Sequence, residues 1–337
     1  MYHGGQLGEA KRQFPNATQP WLDLSTGINP YAYPYSCISI DHAMRLPFPE
    51  DEEKLRAQAS KSYGLLNKEL MVSAPGTQIL ISLLPYIFDV RQVCVLSPTY
   101  MEHILTWKKA NIPVYPVYDF DQFSSFSGQK KTLGILCNPN NPDGRIYRIK
   151  QIEQLADRWS DCGNHLLVDE AFMDFEDKGV ASLLPHQGIS ILRSFGKTYG
   201  LAGVRLGFLL SDYQRVEKCR QILGPWAVSG HAIQIALQAF KDRLWFEATK
   251  AQLKDHIQRF DRLLAHYLCP VIGGTHLFRL VEYEQANALW HWLANCGIWV
   301  RRFDYNHRWL RFGLPHSEIE WDRLENALKD YFSSVVV

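Results

Sequence analysis

Between residues 93 and 211 the chain repeats one pattern. Short apolar runs rich in branched side chains, VCVLSP (93–98), PVYPV (113–117), TLGILCNP (132–139), HLLVDEAF (165–172), ISILRSF (189–195) and RLGFLLS (205–211), alternate with helix-like stretches such as 100–110 and 149–160. Runs of this kind, separated by helical patterns, belong to a parallel sheet whose crossovers are helices packed on its faces. The expected fold class is therefore α/β, with a largely parallel sheet. After residue 240 the pattern changes. A helical stretch at about 241–268 precedes LFRLVEY, a helix-like 284–296, IWVRR, WLRFG and a last helix from 316, an order that predicts a smaller α+β lobe. The first thirty residues, rich in Gly, Asn and Pro, read as an arm. The expected organisation is an arm at 1–35, a large domain at 36–240 and a small carboxy-terminal domain at 241–337.

Composition narrows the possible roles. At 337 residues, with 46% hydrophobic and 21% charged side chains, the chain can bury a sizeable core. A formal charge of +1 excludes a global pull toward nucleic acid or an anionic membrane, so any basic site is local. The opening MYHGGQLGEAKRQ has no apolar signal core. The longest apolar run, Ile79 to Phe88, is interrupted by Ser82 and Pro85 and reaches about half a membrane span. A cytoplasmic protein is expected. Seven scattered cysteines without a C-x-x-C pair suit a reducing compartment, and the histidines include no H-E-x-x-H, so no metal site is expected.

In open α/β sheets ligands sit outside the carboxyl ends of the strands. Four polar clusters fall there: Ala74-Pro75-Gly76-Thr77-Gln78, Asn138-Pro139-Asn140-Asn141-Pro142-Asp143-Gly144, Asp169-Glu170-Ala171-Phe172, and Ser194 to Arg205. Each has a plain reading alone. The Asn/Pro/Gly stretch is turn chemistry, Asp169 or Gly76-Thr77 could cap a helix, and Lys197 could be a solvated loop lysine. Four such clusters after successive strands are not explained as separate accidents.

Their order and spacing resemble the fold-type I pyridoxal-phosphate enzymes, the aspartate-aminotransferase superfamily, over nearly the whole chain. The resemblance implies a mainly parallel sheet of the seven-stranded type in a large domain, with a smaller α+β domain behind it. It also implies pyridoxal 5'-phosphate as cofactor. Lys197, in S-x-x-K, matches the lysine that bonds the cofactor aldehyde and then serves as acid and base. Asp169 matches the carboxylate that keeps the pyridine nitrogen protonated, Asn141 the donor to the phenolic oxygen, and Tyr100 the aromatic that stacks on the ring. Backbone N–H groups of Gly76, Thr77 and Gln78 at a helix start, with Ser194 and Arg205, match the phosphate cradle. The chain departs from the family pattern at Phe172, where many members carry tyrosine. It departs again around Arg45-Leu46-Pro47-Phe48-Pro49, where no tyrosine stands ready to reach a partner's phosphate site.

Within the histidinol-phosphate aminotransferase-like group, His3-Gly4-Gly5, Asp23-Leu24-Ser25-Thr26-Gly27-Ile28-Asn29-Pro30 and Pro225-Trp226-Ala227-Val228-Ser229 resemble the threonine-phosphate decarboxylase branch of cobalamin biosynthesis. Phe172 fits that branch. Gly27 stands where its decarboxylases carry asparagine. The implied reaction is decarboxylation of O-phospho-L-threonine to (R)-1-amino-2-propanol O-2-phosphate. Arg311 matches the arginine that clamps the substrate carboxylate and Arg301 a second arginine for the substrate phosphate, which His3 is expected to join from the arm; Gly27 completes the expected substrate-binding set. A solvated arginine pair at a strand end is the plain alternative for Arg301 and Arg302. A histidinol-phosphate type of aminotransferase would share every cofactor residue, and a catalytically silent binding module is the reading from another class. A small phosphorylated amino acid is the expected ligand, and a homodimer follows from the resemblance.

Overall fold

The structure is a computed structural model that describes residues 4–126, 131–176, 179–267 and 270–335. The chain divides into two compact units. One comprises residues up to Tyr31, Pro142–Gly144 and Phe246 onward; the other comprises Ala32–Asn141 and Arg145–Trp245. Strand β1 (Leu22–Leu24) belongs to the first unit. The second unit holds β2 (Met71–Ala74), β3 (Gln92–Leu96), β4 (Val114–Val117), β5 (Thr132–Cys137), β6 (His165–Asp169), β7 (Ile189–Ser194) and β8 (Gly207–Leu210). The first unit then adds β9 (Val271–Thr275), β10 (Phe278–Glu282), β11 (Ile298–Phe303) and β12 (Asn306–Gly313).

The larger unit is a seven-stranded sheet in the order β2-β8-β7-β6-β5-β3-β4. The strands from β7 to β4 pair in parallel, while β8 runs antiparallel to both neighbours. Strands β5, β6 and β7 are buried at every residue, as expected of strands covered on both faces. Side chains alternate across the sheet, and the core divides accordingly. Cys94, Leu96, Leu136, Leu166, Val168 and Ile191 pack with the helices Pro49–Tyr63, Ile149–Asp161 and Gly230–Lys241. On the other face Val93, Val95, Ile135, Leu167 and Leu192 pack with Thr77–Ile87 and Tyr213–Leu223. The helix Pro49–Tyr63 shows why such elements begin and end where they do. Proline occupies its first turn, three acids follow, and Gly64 stops it in the left-handed region at φ 72°.

The smaller unit is a five-stranded sheet, β1-β11-β12-β10-β9, antiparallel apart from the β1–β11 pair. The segment read from sequence as an arm supplies its edge strand, with Leu22 opposite Ile298 and Leu24 opposite Val300. Arg323 of the last helix, Glu318–Val335, secures that segment by donating to the carbonyls of Pro20, Thr18 (3.0 Å) and Cys296 (2.7 Å). Among the described residues no helix is long and apolar enough to cross a membrane. Cys37, Cys94, Cys137, Cys162, Cys219 and Cys296 are unbridged, and Cys269 lies outside the described residues.

Candidate active site

The four polar clusters meet at one edge of the larger sheet. Strands β2, β3, β5, β6 and β7 all end there, and β8, running the other way, begins there just after Arg205. Asp169, the last residue of β6, is 6% exposed. Its Oδ2 lies 2.7 Å from His103 Nε2, and its Oδ1 accepts from the Ala171 N–H at 3.0 Å. Burial by itself raises a carboxyl. Here the His103 hydrogen bond and charge, Lys197 and the Ala171 amide outweigh it and hold Asp169 below the ordinary range. For His103, burial works against the charged form. Cys137 and Asp169 prevail and lift it to about 10.

His103 was not among the residues singled out from sequence. Its one signal is its spacing three residues after Tyr100, on the first turn of a helix that follows β3. The Thr99 hydroxyl lies 3.0 Å from Cys137 Sγ and 2.8 Å from Asn140 Oδ1, so the ends of β3 and β5 are tied together. Side-chain donors of His103, Cys137 and Asp169 all lie within 4.8 Å of one another, close enough to hold a metal ion by distance alone. That cluster belongs to this site, where His103 is already bonded to Asp169.

Lys197 sits in the short helix Phe195–Thr198 directly after β7, with Nζ 4.7 Å from the centre of the Phe172 ring. Tyr100 donates from its hydroxyl to Gln78 Oε1 at 2.9 Å, and its ring stands edge-on to His103 at 6.0 Å. In the loop after β5, Asn138 and Asn140 are buried and spend their amides on backbone groups, one within the loop and the other after β3. Asn138 bonds both Tyr147 backbone groups (2.7 and 3.1 Å) and Asn140 donates to the Pro98 carbonyl (2.9 Å). Asn141 follows them, half-buried.

The helix Thr77–Ile87 starts after Gly76, whose φ is 87° and which supplies no side-chain cap. Gly76 was counted from sequence among the phosphate donors. In the structure its N–H turns back to the Ala74 carbonyl at 2.6 Å, which leaves the helix start to Thr77 and Gln78. A β-carbon at 76 would lie 2.5 Å from Arg205 Nη2, and one at Gly207 would lie 2.6 Å from the Thr77 nitrogen. Two glycines therefore keep the guanidinium and the helix N-terminus close together. Arg205 is itself left-handed (φ 55°) and exposed, and Ser194, its neighbour across the cradle in sequence order, is buried at the end of β7 without capping the helix it precedes.

The smaller unit carries the remaining candidates. Arg301 of β11 stands directly opposite Arg311 of β12 in an antiparallel register. Arg302, one residue on, faces the other way and lies over the Trp290 ring at 4.2 Å. Arg311 is buried and donates to the Ser25 carbonyl at 3.0 Å. Its pKa is pushed down to about 9, first by burial and then by Arg301. Gly27 is buried two residues beyond Ser25. A β-carbon at Gly4 would run into the same Ser25 carbonyl oxygen, while the Gly5 N–H donates to Ser25 Oγ at 2.8 Å. His3 lies outside the described residues.

The larger sheet thus gathers a lysine, a buried acid and a helix start beside an arginine at one edge. The family model for aminotransferase class I and II matches residues 46–328, and the chain belongs to that family. It is 36% identical to the threonine-phosphate decarboxylase of Pseudomonas aeruginosa over 329 residues, covering 97% of each chain. It is 37% identical to a threonine-phosphate decarboxylase of a Sinorhizobium species over 331 residues, again covering 97% of each. Among solved structures, the histidinol-phosphate aminotransferase of Sinorhizobium meliloti in complex with pyridoxal-5'-phosphate superposes with a TM-score of 0.85 at 19% identity. That match covers 97% of this chain and 94% of that one, and it is a likeness of fold.

The donor set fits pyridoxal phosphate. A phosphate suits a capless helix start beside Arg205, a protonated ring nitrogen suits a buried carboxylate held ionised by His103, and an aldehyde suits the amine of Lys197.

Proposed function

We propose that this protein is a pyridoxal-phosphate enzyme that decarboxylates O-phospho-L-threonine to (R)-1-amino-2-propanol O-2-phosphate for cobalamin biosynthesis. The observation that carries the substrate is the cross-strand pair Arg301–Arg311. Like charges directly opposite each other destabilise a sheet, and burial makes the second charge costlier still. A ligand with two anionic groups relieves both costs. The relatives from Pseudomonas aeruginosa and Sinorhizobium support the reading along the full length of the chain.

When bound, pyridoxal phosphate supplies an electron sink through its protonated ring. The protein's own groups prepare that chemistry. Asp169, kept ionised by His103, holds a proton at the pyridine nitrogen. Lys197 would hold the cofactor carbonyl through its amine and would serve as the acid and base at the substrate Cα. The Thr77 and Gln78 amides, Ser194 and Arg205 hold the cofactor phosphate, and Asn141 and Tyr100 orient the ring. Arg311 takes the substrate carboxylate as a planar fork, and Arg301 takes the distal phosphate.

A histidinol-phosphate type of aminotransferase would use the same cofactor groups. Turnover of O-phospho-L-threonine by the purified protein, with and without a 2-oxo acid, tells them apart. Carbon dioxide and aminopropanol phosphate without an oxo acid are expected. A strict requirement for the oxo acid, with amino transfer as the outcome, would replace the decarboxylase reading. Cytoplasmic residence and a homodimer complete the proposal. The dimer is supported by the exposed apolar side chains of Tyr35, Ile40, Met44, Leu46 and Phe48.

A further inference from the structure

Lys197 lies between two residues that grip the same carboxylate. On its amino-terminal side Arg193, in β7, places Nη2 2.8 Å from Asp174 Oδ1 and Nη1 2.6 Å from Glu170 Oε2. On its carboxy-terminal side Thr198 donates from Oγ1 to Asp174 Oδ2 at 2.5 Å. Both oxygens of Asp174 are thereby engaged, one on each flank of the lysine. We propose that Asp174, clamped by Arg193 and Thr198, is a positioning residue for Lys197, closing the turn 193–198 over one carboxylate and so fixing where the amine stands. The inference rests on Lys197 being the cofactor lysine.

The clamp is built to stay shut. Arg193 is 3% exposed and Glu170 fully buried, and the guanidinium lies 4.4 Å from the centre of the Tyr63 ring. Glu170 spends its other oxygen on the Val180 N–H at 2.8 Å. A β-carbon at Gly179 would run into both Arg193 Nη1 and Glu170 Oε2, so only glycine admits the pair. Losing one partner of a buried ion pair strands the other, so small displacements are resisted. The chain alternation explains the division of labour. Asp169 turns to His103 at the sheet edge, while Glu170, its neighbour, turns to Arg193.

The Glu170 and Asp174 carboxyls share one guanidinium, that of Arg193, in the turn that carries the lysine. Burial pushes the Asp174 carboxyl up, opposed by Arg193, the Thr198 hydroxyl and Lys197. The charged and titratable groups acting on Asp174 are thus Arg193, Glu170, Lys197, Tyr63 and Tyr199, and both Asp169 and Asp174 feel Lys197. Removing the charge of Asp174 takes support from the lysine's ammonium form.

Two readouts test this apart from turnover. In cofactor-free protein, reductive methylation with formaldehyde across a pH series, followed by peptide mass analysis, gives the midpoint at which Lys197 becomes reactive. In Asp174→Asn that midpoint should fall by about one pH unit. In the loaded protein, Thr198→Val should release cofactor about tenfold faster, the size of one hydrogen bond to a charged group, while Thr198→Ser should behave as wild type. Its kcat should fall more than its KM rises. An unchanged midpoint in Asp174→Asn with unchanged release in Thr198→Val, even if both melt earlier, overturns the proposal and leaves a purely structural clamp. If Asp174→Asn does not fold, unchanged release in Thr198→Val alone overturns it. Borohydride fixation of the cofactor to a lysine other than Lys197 defeats the functional reading instead.

Discussion

Asp169 and His103 form the buried pair to which the proposed function assigns the cofactor ring nitrogen, and their linkage has a definite sign. Asp169 is held below its ordinary range, so its charge is present at neutral pH and lost only as the pH falls through that lowered value. His103 is raised from 6.5 to about 10, so its contribution to stability is complete below 6.5 and is lost as the pH rises through about 10. In His103→Asn the burial of Asp169 goes partly unopposed. The acid limb of kcat should therefore move up by about one pH unit. The wild-type melting temperature should also decline more between pH 6.5 and 10 than that of the variant. Identical acid limbs in the two proteins would show that another group keeps Asp169 charged. At this scale the sequence was half legible. Asp169 and Lys197 stand in recognisable motifs, but His103 pairs with Asp169 across Cys137, through strand ends that only folding makes adjacent. No spacing in the chain announces that.

At the scale of elements, the pairing of β11 with β12 decides where the two arginines proposed for the substrate stand. Sequence places Arg301 and Arg302 side by side at a strand end, and a strand sends them to opposite faces. The register then sets Arg301 against Arg311 and leaves Arg302 on Trp290. Threonine and O-phosphothreonine share the amine and carboxylate and differ in the phosphate. Arg301→Ala should thus lower kcat/KM for O-phosphothreonine by about tenfold or more, while leaving the slow reaction of plain threonine little changed. Arg311→Ala should harm both substrates. Equal losses on both for Arg301→Ala would remove it from phosphate recognition. The apolar runs at 93–211 were each legible as strands, and the helices beyond them as helices. The direction of β8 was not, because an apolar run has the same pattern whichever way it lies. Short β2 and glycine-bearing β9 offered too few side chains for a periodicity.

For the whole molecule, the surface of the larger unit suggests how it associates. Ile40, Met44, Leu46 and Phe48 are exposed, Met44 by 78%, in one stretch of the chain. The Pro225–Trp226 loop lies on the same unit, its tryptophan 53% exposed in the left-handed region at φ 59°. The Gly230 that follows it fits against the His42 carbonyl, where a β-carbon would collide. An exposed apolar stretch of this kind supports the proposed homodimer. Sedimentation should give twice the 38.9 kDa chain mass, and Met44→Glu with Phe48→Glu should shift it toward the monomer. A wild-type monomer at micromolar concentration would refute the dimer.

The sequence by itself determined the fold class, because alternating apolar runs and helical stretches are local patterns set by the period of each element. The cofactor class was legible through the family resemblance that the four motifs carry, each of them complete within a few residues of a strand end. Tertiary structure alone decided which groups face one another. Leu22–Leu24 became a strand only by finding the backbone of Ile298–Val300 nearly three hundred residues away. Glu170 and Thr198, from two of the polar clusters, and Arg193, from the apolar run before Ser194, came together around Asp174 only when β6 and β7 lay side by side. Periodicity is written along the chain, whereas pairing depends on distances that exist only after the chain has packed.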